Sequence, residues 1–180
     1  MRTTARDQPS PGQTSPSPDL LERDDALLEL ERHLDAARSG NGRLVLVSGE
    51  AGVGKTSLLR RFAAGQPLTL WGYCDPLRHP RPLGPLADIG EQLGWDVDEG
   101  LLGGSRTTAF SRLLRDLDQH PGRVVVIEDV HWADDSTLDL LRYLGRRVAD
   151  HPTLLLVSLR DDQLGAHHPV RTTLGDLASY

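Results

Sequence analysis

Three short runs of this sequence are apolar at nearly every position rather than at every second one. They read RLVLVSG, VVVIED and TLLLVSLR, and a weaker run reads LTLWGY. Continuous apolarity is typical of strands covered on both faces, which occur mainly in parallel sheets between two layers of helices. The chain is therefore predicted to be an α/β domain with strands near 43–48, 68–73, 123–128 and 153–158.

The segments between these runs carry apolar residues at helical spacing. Before the first run the stripe comprises Leu27, Leu30, Leu34 and Ala37, and SGNG at 39–42 ends that helix. Residues 55–64 follow the first strand as a second helix. Two further stripes precede the third and fourth strands: Phe110, Leu113, Leu114 and Leu117, then Leu138, Leu141, Leu144 and Val148. Ser136 and Asp139 are interpreted as a capping box for the last helix. Alternating strands and helices predict right-handed crossovers.

The first residues of the chain differ from the rest. Residues 1–18 are rich in Pro, Ser, Thr and Gln and have few large apolar side chains. Such a segment buries too little surface to offset the entropy of ordering. We expect residues 1–18 to be a disordered leader and residues 19–180 to form one folded core.

Composition excludes several classes of function. The net charge of -6 disfavours general attraction to nucleic acid or to an anionic membrane. No apolar run approaches the ~20 residues of a membrane span, and the N-terminus lacks the apolar stretch of a signal peptide. Cys74 is the single cysteine, which excludes an internal disulfide and predicts a buried, unreactive thiol. These features predict a cytoplasmic protein.

Lys55 is the single lysine of an arginine-rich chain. With Gly49, Gly54 and Thr56 it completes the pattern G-x-x-x-x-G-K-[ST], which stands where that pattern requires, after a strand and before a helix. The glycines allow backbone N–H groups to converge on phosphate oxygens, and the helix N-terminus favours negative charge there. The motif, residues 49–56 and hereafter the P-loop, predicts nucleotide binding.

Each residue of the P-loop has an expected role. Lys55 would contact the β- and γ-phosphates, where the bulkier, forked guanidinium of arginine fits poorly, and the Thr56 hydroxyl would hold Mg²⁺. The predicted nucleotide-binding residues are Gly49, Glu50, Ala51, Gly52, Val53, Gly54, Lys55, Thr56 and Ser57.

An acidic pair follows the third apolar run. Glu128 stands where a carboxylate meets Mg²⁺ directly or through water, and Asp129 would orient or deprotonate the attacking water. In an alternative assignment, Asp129 binds the metal while Asp134 or Asp135 lies nearer the water. A strand that simply ends in an acidic turn is the non-functional interpretation.

Three further side chains also lie near the predicted strand ends. Arg160 follows the fourth run, where it could face the γ-phosphate and distinguish ATP from ADP, or form a surface pair with Asp161 or Asp162. His131 and Trp132 are interpreted mainly as packing residues at the end of the sheet.

Five segments, in this order, resemble a known family. They are LLERDDALLELERHL, GRLVLVSGEAGVGKTSLLRRF, GYCDPLRHPRPLGPL, VVVIEDVHWADDSTLDLLRYL and LLLVSLRDD. Together they resemble the N-terminal ATPase domain of large bacterial ATP-binding regulators of the LuxR type, which are AAA-like STAND ATPases. The resemblance extends from about residue 20 to residue 171.

The resemblance implies a three-layer P-loop NTPase with ATP and Mg²⁺ as cofactors. It implies a strand order of 1-4-3-2 with a fifth strand beside the first, and helices on both faces of the sheet. Residues 49–56 would be the Walker A loop, Glu128 and Asp129 the Walker B pair, and Arg160 the sensor arginine. Residues 20–24 would lie against the base and ribose. Many relatives have Asp before Glu in the Walker B pair, so the reversed order here predicts slow hydrolysis.

The chain ends at Tyr180, before the fifth strand, the lid and the DNA-binding helix-turn-helix that such regulators usually carry. An incomplete core with an exposed sheet edge and a tendency to self-associate is therefore expected. Its expected partners are ATP and ADP, without direct nucleic-acid binding by this segment. The rival functions are an interaction module that binds nucleotide without turnover, an inactive truncated fragment and a small-molecule kinase. The sequence strongly disfavours a GTPase, because the chain lacks Asn-Lys-x-Asp.

Overall fold

The computed structural model describes residues 18–96, 105–165 and 168–177, with side chains from Arg23 onwards. The predicted leader, apart from Pro18, lies outside these residues. The helices are α1 (Pro18–Arg38), α2 (Lys55–Ala64), α3 (Gly84–Gln92), α4 (Arg106–Asp118), α5 (Asp135–Gly145) and α6 (Pro169–Leu177). The strands are β1 (Arg43–Val47), β2 (Thr69–Tyr73), β3 (Arg123–Glu128) and β4 (Thr153–Ser158), and short 3-10 helices cover Val130–Trp132 and Val148–Asp150.

The four strands form one parallel sheet in the order β1-β4-β3-β2. All three neighbouring pairs are parallel, and Val47 lies opposite Ser158 where β1 and β4 end. The predicted strands and their order are confirmed. Because the strands are parallel, β1 and β3 end at the same edge of the sheet, one on each side of β4.

Helices cover both faces of the sheet, so the predicted three-layer architecture is confirmed. On one face, α1 and α2 bury Leu30, Leu34, Leu59 and Phe62 against the sheet residues Val124, Val126, Leu154 and Leu156. On the other face, the alternate sheet residues Val125, Ile127, Leu155 and Val157 pack under the apolar side chains of α3, α4 and α5. β3 and β4 are buried along their whole length, which is why their sequences are continuously apolar.

The outer edge of β2 is hydrogen-bonded to side chains of α3. Gln92 accepts a hydrogen bond from the Trp71 N–H at 3.0 Å and donates one from Nε2 to the Trp71 carbonyl at 2.6 Å. The Tyr73 N–H donates to Asp88 Oδ2 at 3.0 Å. Side chains thus occupy backbone groups that a further strand would otherwise use.

The start of α5 differs from the prediction. Asp134, rather than Ser136, is the N-cap, and its carboxylate accepts hydrogen bonds from the Ser136 and Thr137 N–H groups. The helix also ends at Gly145, so Val148 is buried from a separate 3-10 turn. Asp134 forms the cap because its carboxylate reaches two free N–H groups at the first turn.

Two helices, α3 and α6, have no counterpart in the sequence prediction. The sequence of α3, GPLADIGEQ, contains two glycines and a proline, which lower helix propensity. Its burial against β2 compensates for this, since Leu86 and Ile89 are fully buried. Within the described residues, no helix is both long and apolar enough to cross a bilayer.

Candidate functional site

The candidate site lies where the parallel strands end, at the carboxyl edge of the sheet. The P-loop follows β1, the acidic pair closes β3, and Arg160 lies just beyond β4. Since β4 separates β1 from β3, their ends are roughly 10 Å apart, about two strand spacings. Topology therefore brings all three predicted elements to one edge.

Glycines determine the path of the P-loop. Gly52 and Gly54 have φ angles of 78° and 92°, a left-handed region that other residues rarely adopt. Gly54 is the N-cap of α2, which begins at Lys55 without a side-chain cap. The first turn of α2 therefore keeps N–H groups free of side-chain acceptors, as an anion-binding helix N-terminus requires.

The Lys55 side chain folds back over the P-loop. Its Nζ donates hydrogen bonds to the Gly49 carbonyl at 2.7 Å and the Glu50 carbonyl at 2.8 Å. The ammonium is thereby held at the mouth of the loop as a compact positive charge. The other predicted residues vary in exposure: Thr56 is half-buried, and Glu50, Ala51, Val53 and Ser57 are exposed.

Arg23 of α1 also contacts the P-loop, which the sequence prediction did not specify. Its Nη2 lies 3.4 Å from the Val53 carbonyl. A Cβ added to Gly54 would come within 2.5 Å of the same nitrogen. Asp24 pairs with Arg61 of α2 at 3.1 Å, so this end of α1 is fastened to the helix that carries Lys55. Arg23 and Asp24, at the end of the recognised segment, therefore lie beside the P-loop and α2.

Glu128 is the last residue of β3 and is 4% exposed. Strand alternation places it on the same face as Val124 and Val126, which is the face covered by α1 and α2. Its Oε1 is buried without a hydrogen-bond partner. A buried carboxylate oxygen without a partner is costly, and a cation at this edge would remove that cost. The Glu128 carboxylate thus fits a metal ligand of the oxygen type that Mg²⁺ prefers.

Asp129 adopts an unusual backbone conformation, with φ 57° and ψ 45°. Its N–H donates to the Ser158 hydroxyl at 3.0 Å, which ties the end of β3 to the end of β4. A left-handed aspartate is uncommon and persists where surrounding contacts hold it. Ser158, which is fully buried, supplies such a contact.

Arg160 and His131 complete this side of the site. Arg160 Nε lies 4.0 Å from Asp129 Oδ1, so the predicted sensor arginine contacts the acidic pair rather than Asp161 or Asp162 in the described structure. The Arg160 N–H donates to His131 Nδ1 at 3.4 Å. Burial lowers the pKa of His131, the charges of Arg160 and Lys55 act in the same direction, and Asp129 opposes them. His131 is therefore neutral at physiological pH.

The Asp134 carboxylate accepts several hydrogen bonds that stabilise the local structure. Besides capping α5, its Oδ1 accepts from the Thr137 hydroxyl and from the Leu83 N–H, at 3.3 Å for the latter. Leu83 has φ 55°, a strained value for a large side chain. Acting as a base for water would compete with all these contacts. The geometry favours Asp129 over Asp134 for that role.

Sequence reasoning missed three residues that shape the site. The sequence pattern suggests Asp134 only as an alternative residue near the water, although an aspartate two residues before Ser136 is also an N-cap signal. Ser158 is a polar residue at the end of a buried strand, a position that often faces a site in parallel sheets. Arg23 lay inside a recognised segment, but no local pattern indicated contact with the P-loop.

A comparison with protein families gives one match over most of the core. The sequence profile described as AAA ATPase domain matches residues 19–157. An uncharacterised protein of Rhizobium meliloti (strain 1021) is 30% identical over 212 aligned residues, covering 89% of this chain and 21% of that protein. The chain therefore spans about a fifth of that curated relative.

Solved structures with a similar fold come from a bacterium and from Drosophila. Drosophila ORC bound to AT-rich DNA and Cdc6 matches with a TM-score of 0.50 and 16% identity, over 89% of this chain and 55% of that chain. Thermotoga maritima RuvB matches with a TM-score of 0.44 and 18% identity, over 83% of this chain and 42% of that chain. At these identities the likeness concerns the fold alone.

Proposed function

Because the chain belongs to the AAA ATPase domain family, we propose that it binds ATP with Mg²⁺ at the carboxyl edge of the sheet and hydrolyses it slowly. The observation that carries this proposal is the buried Glu128 oxygen without a partner, located at the same sheet edge as the P-loop. A parallel sheet needs no acidic residue there for packing. A site for a hydrated cation and a phosphate chain accounts for both features together.

In this proposal the P-loop, on one side of β4, binds the nucleotide, and Asp129, on the other side of β4, activates water. The residues that hold the nucleotide are Gly49, Glu50, Ala51, Gly52, Val53, Gly54, Lys55, Thr56 and Ser57. Lys55 exchanges the carbonyls of Gly49 and Glu50 for phosphate oxygens, because a charged acceptor is stronger than a neutral one. Thr56 and Glu128 would hold Mg²⁺, which neutralises phosphate charge when bound.

Asp129 is proposed as the base that orients and deprotonates water. Its carboxylate is about one-third exposed and is therefore accessible to solvent. Arg160, beside it, is proposed to stabilise charge on the terminal phosphate and to distinguish ATP from ADP. The backbone bond from Asp129 to Ser158 leaves the Asp129 carboxylate itself available for water.

The wider role follows from the family resemblance rather than from the site. We propose that the chain acts as a nucleotide-controlled switch within a signal-transduction regulator of the LuxR type in the cytoplasm. Direct contact with nucleic acid is assigned to other parts of such a protein, in keeping with the net charge of -6. The Rhizobium meliloti relative, of which the match covers 21%, extends well beyond the region that it shares with this chain.

A second function, nucleotide binding without turnover, is favoured by one contact. Arg160 Nε lies 4.0 Å from Asp129 Oδ1, so a cation already neutralises part of the proposed base. If this contact persists with nucleotide bound, the guanidinium occupies the Asp129 carboxylate and makes it less available to water. Binding and turnover must therefore be measured separately.

The decisive experiment combines titration calorimetry with phosphate-release assays on the whole chain. We expect Mg²⁺-dependent ATP binding and slow phosphate release. Lys55→Ala should weaken ATP binding more than tenfold, above ~1.4 kcal/mol, because a charge-assisted phosphate contact is lost. Arg60→Ala, which removes an exposed cation from the same helix, is the matched control and should bind ATP normally. Equal ATP affinity for Lys55→Ala and the parent chain would contradict the proposed phosphate site.

A further inference from the structure

His131 lies in the 3-10 turn that follows the acidic pair, and its side chain is only 1% exposed. Trp132, its neighbour, is 39% exposed and lies with its ring centroid 5.2 Å from the imidazole. If the pair only packed against the sheet, the larger apolar ring would be expected inside. The chain instead buries the polar ring and leaves the apolar one in contact with solvent.

The contacts of His131 determine its tautomer. Nδ1 accepts the Arg160 N–H at 3.4 Å, so a neutral ring must carry its proton on Nε2. Nε2 is buried and has no hydrogen-bond partner. A buried donor without a partner is destabilising, and an apolar side chain of similar size would avoid that cost. A purely structural role therefore does not explain a histidine here.

His131 also adjoins the Asp129 carboxylate, with Nδ1 3.8 Å from Oδ1. Both atoms are acceptors when the ring is neutral, so they do not hydrogen-bond to each other. The imidazole therefore bonds to the backbone of Arg160 and leaves the carboxylate of Asp129 open to other donors. The same carboxylate oxygen lies 4.0 Å from Arg160 Nε. His131 is thus in contact with both residues that are proposed to act on water and phosphate.

We propose that His131 is a positioning residue for ATP hydrolysis: its Nδ1 holds the Arg160 backbone so that the Arg160 side chain stays beside Asp129. The inference rests on the proposed function and adds to it a residue that links the end of β3 to the loop after β4. It does not require the imidazole to touch nucleotide or to exchange a proton. What matters is one acceptor atom at the δ position of residue 131.

Two substitutions separate the acceptor from the volume of the ring. His131→Asn places an amide oxygen at the δ position and can accept the Arg160 N–H, whereas His131→Leu fills similar space without an acceptor. We expect His131→Leu to lower kcat for ATP by about tenfold or more while KM changes by less than about threefold, the pattern of a lost transition-state contribution. His131→Asn should recover most of that loss. Thermal unfolding and ATP affinity, measured on each variant, report on folding.

The control is another imidazole with the same kind of bond outside the site. His168 Nδ1 accepts the Val170 N–H at 3.3 Å, so His168→Leu removes a similar contact from the start of α6. Its kcat should equal that of the parent. If both His131 variants retain the parental kcat, or if Asn loses as much as Leu, the acceptor is irrelevant and the proposal is wrong.

A nuclear magnetic resonance measurement tests the inference independently of turnover. In the whole chain at neutral pH, the ¹⁵N signals of His131 should show a protonated Nε2 and an unprotonated Nδ1. The Arg160 amide signal should move in His131→Leu and remain near its parental position in His131→Asn. A protonated Nδ1 in the parent would overturn the inference even if phosphate is released. If no phosphate is released, the proposed function fails, and the Arg160 amide still decides whether His131 holds that backbone.

Discussion

The Asp129 N–H donates a hydrogen bond to the Ser158 hydroxyl at 3.0 Å, joining the residue that follows β3 to the last residue of β4. This bond holds a left-handed aspartate next to the buried Glu128. It also fixes where the Asp129 carboxylate points relative to Arg160. The geometry of the candidate site therefore depends on a hydroxyl that itself faces away from solvent.

Replacing Ser158 with Ala should affect turnover more than binding. The Asp129 N–H would lose its acceptor, which costs about 1–3 kcal/mol of stability for a buried donor. We expect slower phosphate release with nearly unchanged ATP affinity. A phosphate-release assay measures the first quantity and titration calorimetry the second. Ser158→Thr keeps the hydroxyl and should remain closer to the parent. Equal turnover in Ser158→Ala and the parent would show that Asp129 is held by other contacts.

The two carboxylates of the acidic pair should give different phenotypes. Asp129→Asn should lower kcat by about a hundredfold while ATP binding stays nearly intact, since a base acts on water and not on the bound nucleotide. Glu128→Gln should instead weaken the dependence of ATP binding on Mg²⁺. Titrating Mg²⁺ at fixed ATP distinguishes the two effects. Reversed phenotypes would require the two roles to be exchanged.

Asp134 should matter for stability more than its exposed neighbour. Asp134→Ala removes the cap of α5 and the acceptor for the Leu83 N–H, so we expect a loss of about 2 kcal/mol or more in the free energy of unfolding. Asp135→Ala removes one exposed charge from the same helix start and should cost about 1 kcal/mol or less. Urea denaturation of both variants provides the comparison. Similar losses would mean that the cap and the Leu83 contact contribute little.

Cys74 should react slowly in the folded chain, and the pH dependence has a defined sign. Burial, followed by the nearby charges of Asp134 and Asp129, raises the pKa of the Cys74 thiol. Above pH ~8.5 the unfolded chain releases the thiol proton while the folded chain keeps it, so the free energy of unfolding should fall as pH rises. Denaturant titrations from pH 7 to 10, with Cys74→Ala as the control, would measure this. An equally steep decline in Cys74→Ala would assign the effect to other groups.

The sequence predicts correctly those parts of the fold that are determined by one dominant physical factor, such as burial or backbone conformation. β3 and β4 are buried on both faces, so their composition alone indicates strands. The P-loop is similarly constrained, because Gly52 and Gly54 adopt backbone angles that few residues other than glycine tolerate. The strand order is predicted by the resemblance to the ATPase family, since no local pattern encodes which strands are neighbours.

The missed parts depend on contacts between distant segments. α3 is a poor helix by propensity, and its place is determined by burial against β2. Arg23 reaches Val53 across 30 residues, and Asp129 reaches Ser158 across 29. The sequence predicts mainly a packing role for His131, because it does not show which of the two rings, His131 or Trp132, is buried. These relationships exist only once the sheet has brought the segments together.

The hydrogen bonds between Gln92 and Trp71 limit how this chain can assemble. A sheet that is free at both sides can add copies without end, which is how fibrils grow. Here the α3 side chains occupy the β2 side, while Leu46 of β1 remains exposed at the opposite side of the described sheet. The amide of Gln92 thus works against open-ended growth of the sheet through its β2 side.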